Sequence, residues 1–355
     1  MIALLFAGAV AFMTAILITP WAIRLLRRRK IGQFIQEEVA GHFHKQGTPT
    51  MGGVVMIVAA LVGYLVTHVR VWSPTEGFFP LQLLRPLQPG GLLVVGALTG
   101  MGLIGLVDDY LKVRRRRSRG LSKGAKFLGQ VLVATLFAWG AVEAGASTQL
   151  SFVRPLGIGL GPIYGLWVLV MLVATANAVN LTDGLDGLAS GSAALVFGAY
   201  MIIGFWQFRH PEFYLNDFSF ALAVVATALL GAVLGFLWWN GTPAQVFMGD
   251  VGSQALGGAI AALALLSNTH LLLLVIGGLY VLETVSVILQ VAAFRLLGRR
   301  RIFRMAPFHY HFELLGWPET TVVVRFWILA AIAVALGLGI FYGDFVFVEG
   351  VENGL

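Results

Sequence analysis

The chain has 355 residues, of which 58% are hydrophobic and 12% charged, and its formal net charge is +7. Soluble globular domains carry about a quarter charged residues, so this composition excludes an ordinary water-soluble enzyme and indicates a protein embedded in a lipid bilayer. Cysteine is absent, which excludes disulfides and thiolate metal sites.

Ten apolar runs predict ten transmembrane helices. A helix needs about 20 apolar residues, within a range of about 17–25, to cross the hydrocarbon core. Three of the runs are slightly short, which is tolerated where one end of a helix meets a water-filled groove. In chain order the predicted helices are Ile2–Ile23, Met51–Thr67, Gly90–Val107, Phe127–Val142, Ile163–Val179, Leu188–Phe208, Phe218–Trp239, Val251–Leu266, Leu271–Phe294 and Val322–Phe341.

The basic residues predict the orientation of these helices. The first apolar run has no basic segment before it and a basic block after it, which predicts a retained helix whose C-terminal end is cytoplasmic. With that orientation, 20 of the 24 Lys and Arg lie in the inner segments 24–45, 112–126 and 295–325. We expect them to contact anionic membrane lipids rather than nucleic acid. The sequence therefore predicts an all-α polytopic protein, one integral membrane domain over residues 1–355, with both termini extracytoplasmic.

Acidic residues and glycine-rich loops gather on the same predicted face. Loops 180–187 and 240–253 are rich in glycine and Asx, and each continues into the start of a helix. Free N–H groups and the positive end of the helix dipole favour phosphate there, although each loop alone is also explained by tight turns. Five of the chain's seven aspartates lie on this face: Asp108, Asp109, Asp183, Asp186 and Asp250.

Adjacent carboxylates end the predicted third helix. Asp108 and Asp109 repel each other, and a helix C-terminus is the unfavourable end for an acid. A solvated helix boundary is one explanation; the other is that a divalent cation, a shared proton, or Lys112 and Lys126 offset the repulsion. Oxygen ligands without cysteine suit Mg²⁺, so we predict a magnesium site with Asp250 as its best single ligand.

Three further features are ambiguous in the sequence alone. His309 and His311 form a His-x-His pair, which is typical of a weak zinc site or of a hydrogen-bond donor or proton carrier beside a phosphate. Lys45 precedes a glycine pair at a helix start, a pattern typical of an anion site or of close helix packing. Glu283 lies inside a predicted helix, where acids are costly and face the bundle or a polar cavity; no role follows for it.

Five stretches of the chain occur in the order and spacing of a known family. They are Gly47–Gly53, Asp108–Lys112, Asn180–Gly187, Val246–Ser253 and Met305–His309. Together they resemble the bacterial phospho-N-acetylmuramoyl-pentapeptide transferases, within the polyprenyl-phosphate N-acetylhexosamine-1-phosphate transferase superfamily. The resemblance implies a cytoplasmic-membrane enzyme that transfers phospho-N-acetylmuramoyl-pentapeptide from its UDP conjugate to undecaprenyl phosphate, giving lipid I and UMP. It also implies a Mg²⁺ cofactor and a homodimer.

The resemblance further implies roles for individual residues. Asp250 would coordinate the metal, and the catalytic set would be Asp108, Asp109, Asp250 and His309. The substrate-binding set would be Lys45, Lys112, Lys126, Asn180, Asp183, Asp186, Asn240, Phe247 and His311, with Phe247 stacking on uracil. One departure is visible: the family has three consecutive histidines where this chain has Tyr310 in the middle, so the first histidine is the catalytic assignment.

Two other functions are compatible with parts of the pattern. A sister transferase that uses UDP-N-acetylglucosamine for other envelope polysaccharides would share the aspartates, but it normally differs around residues 305–313. A ten-helix transporter would place polar residues near the bilayer midplane and show internal repeats, whereas here the unusual polar groups cluster on one face.

Overall fold

The computed structural model describes residues 1–29, 31–32, 45, 47–73, 77–83, 86–115 and 120–352. Within these ranges the chain is mostly helical, and nine helices are long and apolar enough to cross a membrane. They are α1 Ile2–Arg28, α3 Pro89–Arg115, α4 Lys123–Glu143, α5 Tyr164–Thr182, α6 Leu188–Arg209, α8 Ser219–Asn240, α9 Gly249–Leu266, α11 Gly278–Leu296 and α13 Glu319–Glu352. The fold is that of a polytopic membrane protein.

Two predicted spans differ from the structure. The predicted second helix corresponds to α2, Gly53–Val66, whose 14 residues are fewer than a full crossing needs. The predicted count of ten membrane-spanning helices is therefore not confirmed. The predicted ninth helix, 271–294, was wrong in being one continuous helix. It is divided into α10, Leu273–Ile276, and α11. Gly277 separates the two and is followed by a second glycine, and glycine costs the most conformational entropy in a helix.

The prediction of an all-α chain missed two small β-hairpins. Strand β1, Val69–Ser73, pairs antiparallel with β2, Gly77–Leu83, in the connection between α2 and α3. Strand β3, Gln149–Ser151, pairs antiparallel with β4, Pro155–Gly159, between α4 and α5. Two short helices, α7 (Pro211–Tyr214) and α12 (Phe308–Glu313), and a 3₁₀ turn, Gly161–Ile163, complete the described elements. A search for long apolar runs carries no signal for pieces this short.

Helix α9 is the centre of the bundle. All its residues from Val251 to Leu266 are buried, and it packs against α2, α3 and α5. Small residues allow the close approach: a Cβ on Gly53 of α2 would overlap the backbone of Gly252. The outer helices expose apolar side chains, as a lipid-facing surface requires, among them Leu5, Leu132, Ile288 and Ile332. The start of α9 is therefore held firmly in the middle of one end of the bundle.

Candidate functional site

Three carboxylates from two helices meet at that end of the bundle. Asp108 and Asp109 lie near the end of α3, and Asp250 lies in the first turn of α9; one oxygen from each falls within 4.8 Å of the others. The helices can come this close because residue 105 is glycine, where a Cβ would overlap the backbone of Asp250. The structure thus brings Asp108 and Asp109, predicted as catalytic residues, together with Asp250, predicted as the metal ligand.

Two lysines neutralise part of this charge. Lys112 Nζ lies 2.7 Å from Asp108 Oδ2, 3.2 Å from Asp250 Oδ2 and 3.4 Å from Asp109 Oδ1. Lys126 Nζ, from the first turn of α4, lies 2.7 Å from Asp250 Oδ2. Three carboxylates therefore face two ammonium groups. The ammonium of Lys112 contacts all three acids, so these carboxylates together favour a cation, and their hard oxygen donors fit Mg²⁺.

The start of α9 is shaped by its first residue, a glycine, and by an amide from α5. Asn180 donates from Nδ2 to Asp250 Oδ1 at 3.0 Å and to Ser253 Oγ at 2.8 Å. Gly249 has a φ of +69°, and a Cβ there would overlap the Asp109 carboxylate. Only glycine satisfies both requirements without strain, because other residues rarely adopt this φ. The first turn of α9 is thereby fixed against α3.

Lys45 belongs to a different cluster. Its Nζ lies 2.7 Å from Asp186 Oδ1 and 2.5 Å from Glu319 Oε1, and all three side chains are largely buried. The backbone N–H of Asp186 also donates to Glu319 at 2.8 Å, and Asp186 Oδ2 accepts the N–H of Ala244 at 2.9 Å. Lys45, predicted as a phosphate-side cation, therefore ties the loop that carries Asp186 to the start of α13. The sequence analysis missed Glu319, since an acid at a helix start is typical of ordinary helix capping.

Two residues assigned to the nucleotide pocket support a neighbouring loop. Asn240 is buried, accepts from Ser190 Oγ at 2.7 Å and donates to the carbonyl of Val246 at 3.0 Å. The backbone of Phe247 pairs with residues 49–52: its N–H donates to Pro49 O at 2.8 Å and its carbonyl accepts from Gly52 at 2.9 Å. The Phe247 ring is half-buried.

Asp183 follows α5 and faces the other acids. The residue is half-buried. Burial, and then the carboxylates of Asp250, Asp109 and Asp186, raise the pKa of Asp183 to about 8. The group therefore holds a proton near neutral pH in the absence of added cations.

The histidine segment approaches the loop 183–187 from the other side. His309 is fully buried, with Nδ1 3.1 Å from Glu283 Oε1, and the Tyr310 hydroxyl donates to the Gly184 carbonyl at 3.2 Å. His311 accepts the Arg304 N–H on Nδ1 at 3.0 Å and stacks on Phe308 with ring centroids 5.8 Å apart. His309 is therefore the histidine directed at the loop, while His311 stabilises its own segment. Glu283, which had no role from sequence, is the partner of His309.

Comparison with known proteins gives consistent matches. Residues 92–268 match the family model described as glycosyl transferase family 4. Over nearly its whole length the chain is similar to proteins named phospho-N-acetylmuramoyl-pentapeptide-transferase. The Frankia casuarinae protein is 50% identical, covering 96% of this chain and 98% of the relative. Those of Streptomyces avermitilis and Cutibacterium acnes are 47% and 44% identical, covering 96% and 97% of this chain and 97% and 98% of the relatives.

Proposed function

We propose, from the premise that the chain belongs to the phospho-N-acetylmuramoyl-pentapeptide transferases, that it makes lipid I. In this reaction phospho-N-acetylmuramoyl-pentapeptide passes from its UDP conjugate to undecaprenyl phosphate, and UMP is released. The relatives' name favours this donor over UDP-N-acetylglucosamine, because the similarity extends over the full set of helices.

The observation that carries the proposal is the meeting of Asp108, Asp109 and Asp250 with two lysines at helix ends. The three carboxylates would hold Mg²⁺, which supplies charge neutralisation and orientation for a diphosphate when bound. Lys112 and Lys126 would then be available to phosphate oxygens beside the metal. Phosphoryl transfer needs little covalent help from the protein, so this positioning and neutralisation accounts for most of the acceleration.

The remaining inner loops are suited to the nucleotide and the sugar. The N-terminal end of α9 lies at the same end of the bundle, where the helix dipole favours an anion. We assign the half-buried ring of Phe247 to stacking on uracil, with Asn180 and Asp183 as polar support. Asp186 and Asn240 act by holding the loops in place, as their hydrogen bonds to Ala244 and Val246 indicate.

The site-bearing end would face the cytoplasm of a bacterial cell. The support for this orientation is the distribution of basic residues: Lys123 begins α4 at this end, and Arg299, Arg300 and Arg301 follow α11. Undecaprenyl phosphate would then reach the aspartates sideways from the inner leaflet. A homodimer, implied by the family resemblance, stays a prediction.

The test is a comparison of donors. Purified protein in detergent with undecaprenyl phosphate is incubated with UDP-N-acetylmuramoyl-pentapeptide or with UDP-N-acetylglucosamine, and UMP release is measured while Mg²⁺ is titrated from zero. We expect release with the muramoyl donor only, and none after chelation. Release with UDP-N-acetylglucosamine alone would contradict the donor, and release that persists in excess chelator would contradict the metal.

A further inference from the structure

Glu283 is an acid that the transfer reaction, as described so far, does not use. It lies in the second turn of α11, a helix long and apolar enough to cross the membrane, and it is fully buried. A buried carboxylate is costly unless it is paired or hydrogen-bonded. The contacts of its two oxygens therefore indicate what it does.

Both oxygens of Glu283 are directed at the histidine segment. Oε2 accepts the backbone N–H of Phe308 at 2.7 Å, and Oε1 lies 3.1 Å from Nδ1 of His309. The imidazole is not well aligned for a hydrogen bond to Oε1, and neither of these two atoms has another hydrogen-bond partner in the described part of the chain. Catalytic hydrogen bonds are often loose before substrate binds. Glu283 Oε1 and His309 Nδ1 are therefore enclosed together and face each other.

The opposite edge of the imidazole meets the loop that carries Asp183 and Asp186. His309 Nε2 is close enough to Gly184 that a Cβ at that position would overlap it. The neighbouring Tyr310 hydroxyl donates to the carbonyl of the same glycine at 3.2 Å. His309 thus connects Glu283, on the membrane side, with the acidic loop of the site.

We propose that Glu283 is a positioning residue that acts through His309, an inference that rests on the proposed transferase function. Its carboxylate keeps the proton of the neutral imidazole on Nδ1 and fixes the ring plane. Nε2 is then left with its lone pair facing the loop 183–187, as an acceptor. The partner of one ring nitrogen determines the state of the other, so removal of the carboxylate changes what Nε2 can do.

Glu283→Gln tests the proton placement with little change of shape. The amide oxygen can still accept the N–H of Phe308, whereas the amide NH₂ would face His309 and place the imidazole proton on Nε2. We expect kcat for UMP release to fall on the order of 10²–10⁴-fold, with KM for the UDP donor and the unfolding temperature nearly unchanged. Ser286→Ala is the matched control, because its hydroxyl donates to the Glu283 backbone carbonyl at 2.7 Å and not to the Glu283 carboxylate, and we expect normal turnover.

A double variant separates positioning from simple helix capping. If Glu283 acts through His309, adding Glu283→Gln to His309→Ala lowers kcat no further. If Glu283 only caps α12 through Phe308, the decreases of kcat in the two single variants multiply in the double variant. That result overturns the proposal even when the variants are less stable. Near-normal kcat in Glu283→Gln would also overturn it. Absence of turnover in the unchanged protein would contradict the proposed function instead, so the two failures are distinguishable.

Discussion

The carboxylate of Asp250, in the first turn of α9, has partners from three other helices. Lys126 approaches from α4, Lys112 from α3, and the amide of Asn180 from α5. Each partner is positively charged or donates a hydrogen bond, so each favours the ionised carboxylate. The side chain is thereby presented as an oxygen ligand in a fixed direction, which is the property required of a metal ligand.

Asp250→Asn is expected to remove activity without unfolding the protein. The amide keeps the size of the side chain and loses the charge that would bind Mg²⁺, so UMP release should fall at least about 100-fold. Asp344→Asn is the matched control, because Asp344 lies at the opposite end of the bundle, where Arg154 donates to it at 2.8 Å. Normal UMP release by the Asp250 variant, measured beside that control, would exclude the metal role.

The sequence could identify candidate site residues where a side chain has an evident free-energy cost in its predicted position. Acids at the end of a helix, such as Asp108 and Asp109, are unfavourable unless compensated, and the structure places their compensation beside them. Lys45 was predicted near phosphate, but its buried ion pairs with Asp186 and Glu319 depend on residues distant in sequence. Long-range partners of this kind leave no local pattern.

At the scale of elements, α9 is the helix on which the site depends. Its first turn supplies Asp250, and a backbone N–H of that turn donates to Asp109 Oδ2 at 3.2 Å. Hydropathy predicted this helix and most others, because crossing a bilayer imposes an apolar length. It could not predict the hairpins, which are short segments, or the break at Gly277, which lies inside an apolar run.

The turn after α9 contains a histidine whose charge should control stability. His270 is buried, accepts the Trp167 N–H on Nδ1 at 3.2 Å and has Leu265 O 3.2 Å from Nε2. Its backbone N–H donates to Ser151 of β3 at 3.2 Å, so the turn is tied to the hairpin. These contacts suit a neutral ring with its proton on Nε2, and burial lowers the pKa of His270 to about 4.

The protein should therefore lose stability as the pH falls. The unfolded chain binds a proton on His270 near pH 6.5, above the folded pKa, so stability is fully present above that pH and declines toward pH 4. Between about pH 7.5 and pH 5 we expect a loss of about 2 kcal/mol from this residue. Unfolding in detergent, followed across this range, should show a flatter dependence for His270→Gln. Equal slopes for both proteins would contradict the assignment.

At the scale of the whole molecule, the described structure is a bundle with two different ends. One end carries the aspartates, the lysines and the histidine segment, and the other carries both hairpins and the Arg154–Asp344 pair. The charge distribution in the sequence predicted this asymmetry, because basic segments stay on the cytoplasmic side. Which end faces the cytoplasm is still a prediction.

Single cysteines can test the orientation directly, because the natural chain has none. Lys123→Cys lies at the site-bearing end and Glu212→Cys at the other, and both positions are exposed. In intact spheroplasts, a membrane-impermeant maleimide should label the Glu212 variant and reach the Lys123 variant only after permeabilisation. The unchanged chain controls for background, and retained UMP release shows that each variant is folded. The reverse labelling pattern would invert the proposed topology.

The contact between Lys45 and Glu319 joins positions 274 residues apart. A ribosome delivers helices to the membrane in order, so Lys45 is in place long before the start of α13 has been synthesised. Until then Asp186 has Lys45 but not Glu319, and the loops around it are incompletely anchored. A nascent or truncated chain that ends before α13 would therefore lack the Glu319 contacts to Lys45 and to the backbone of Asp186.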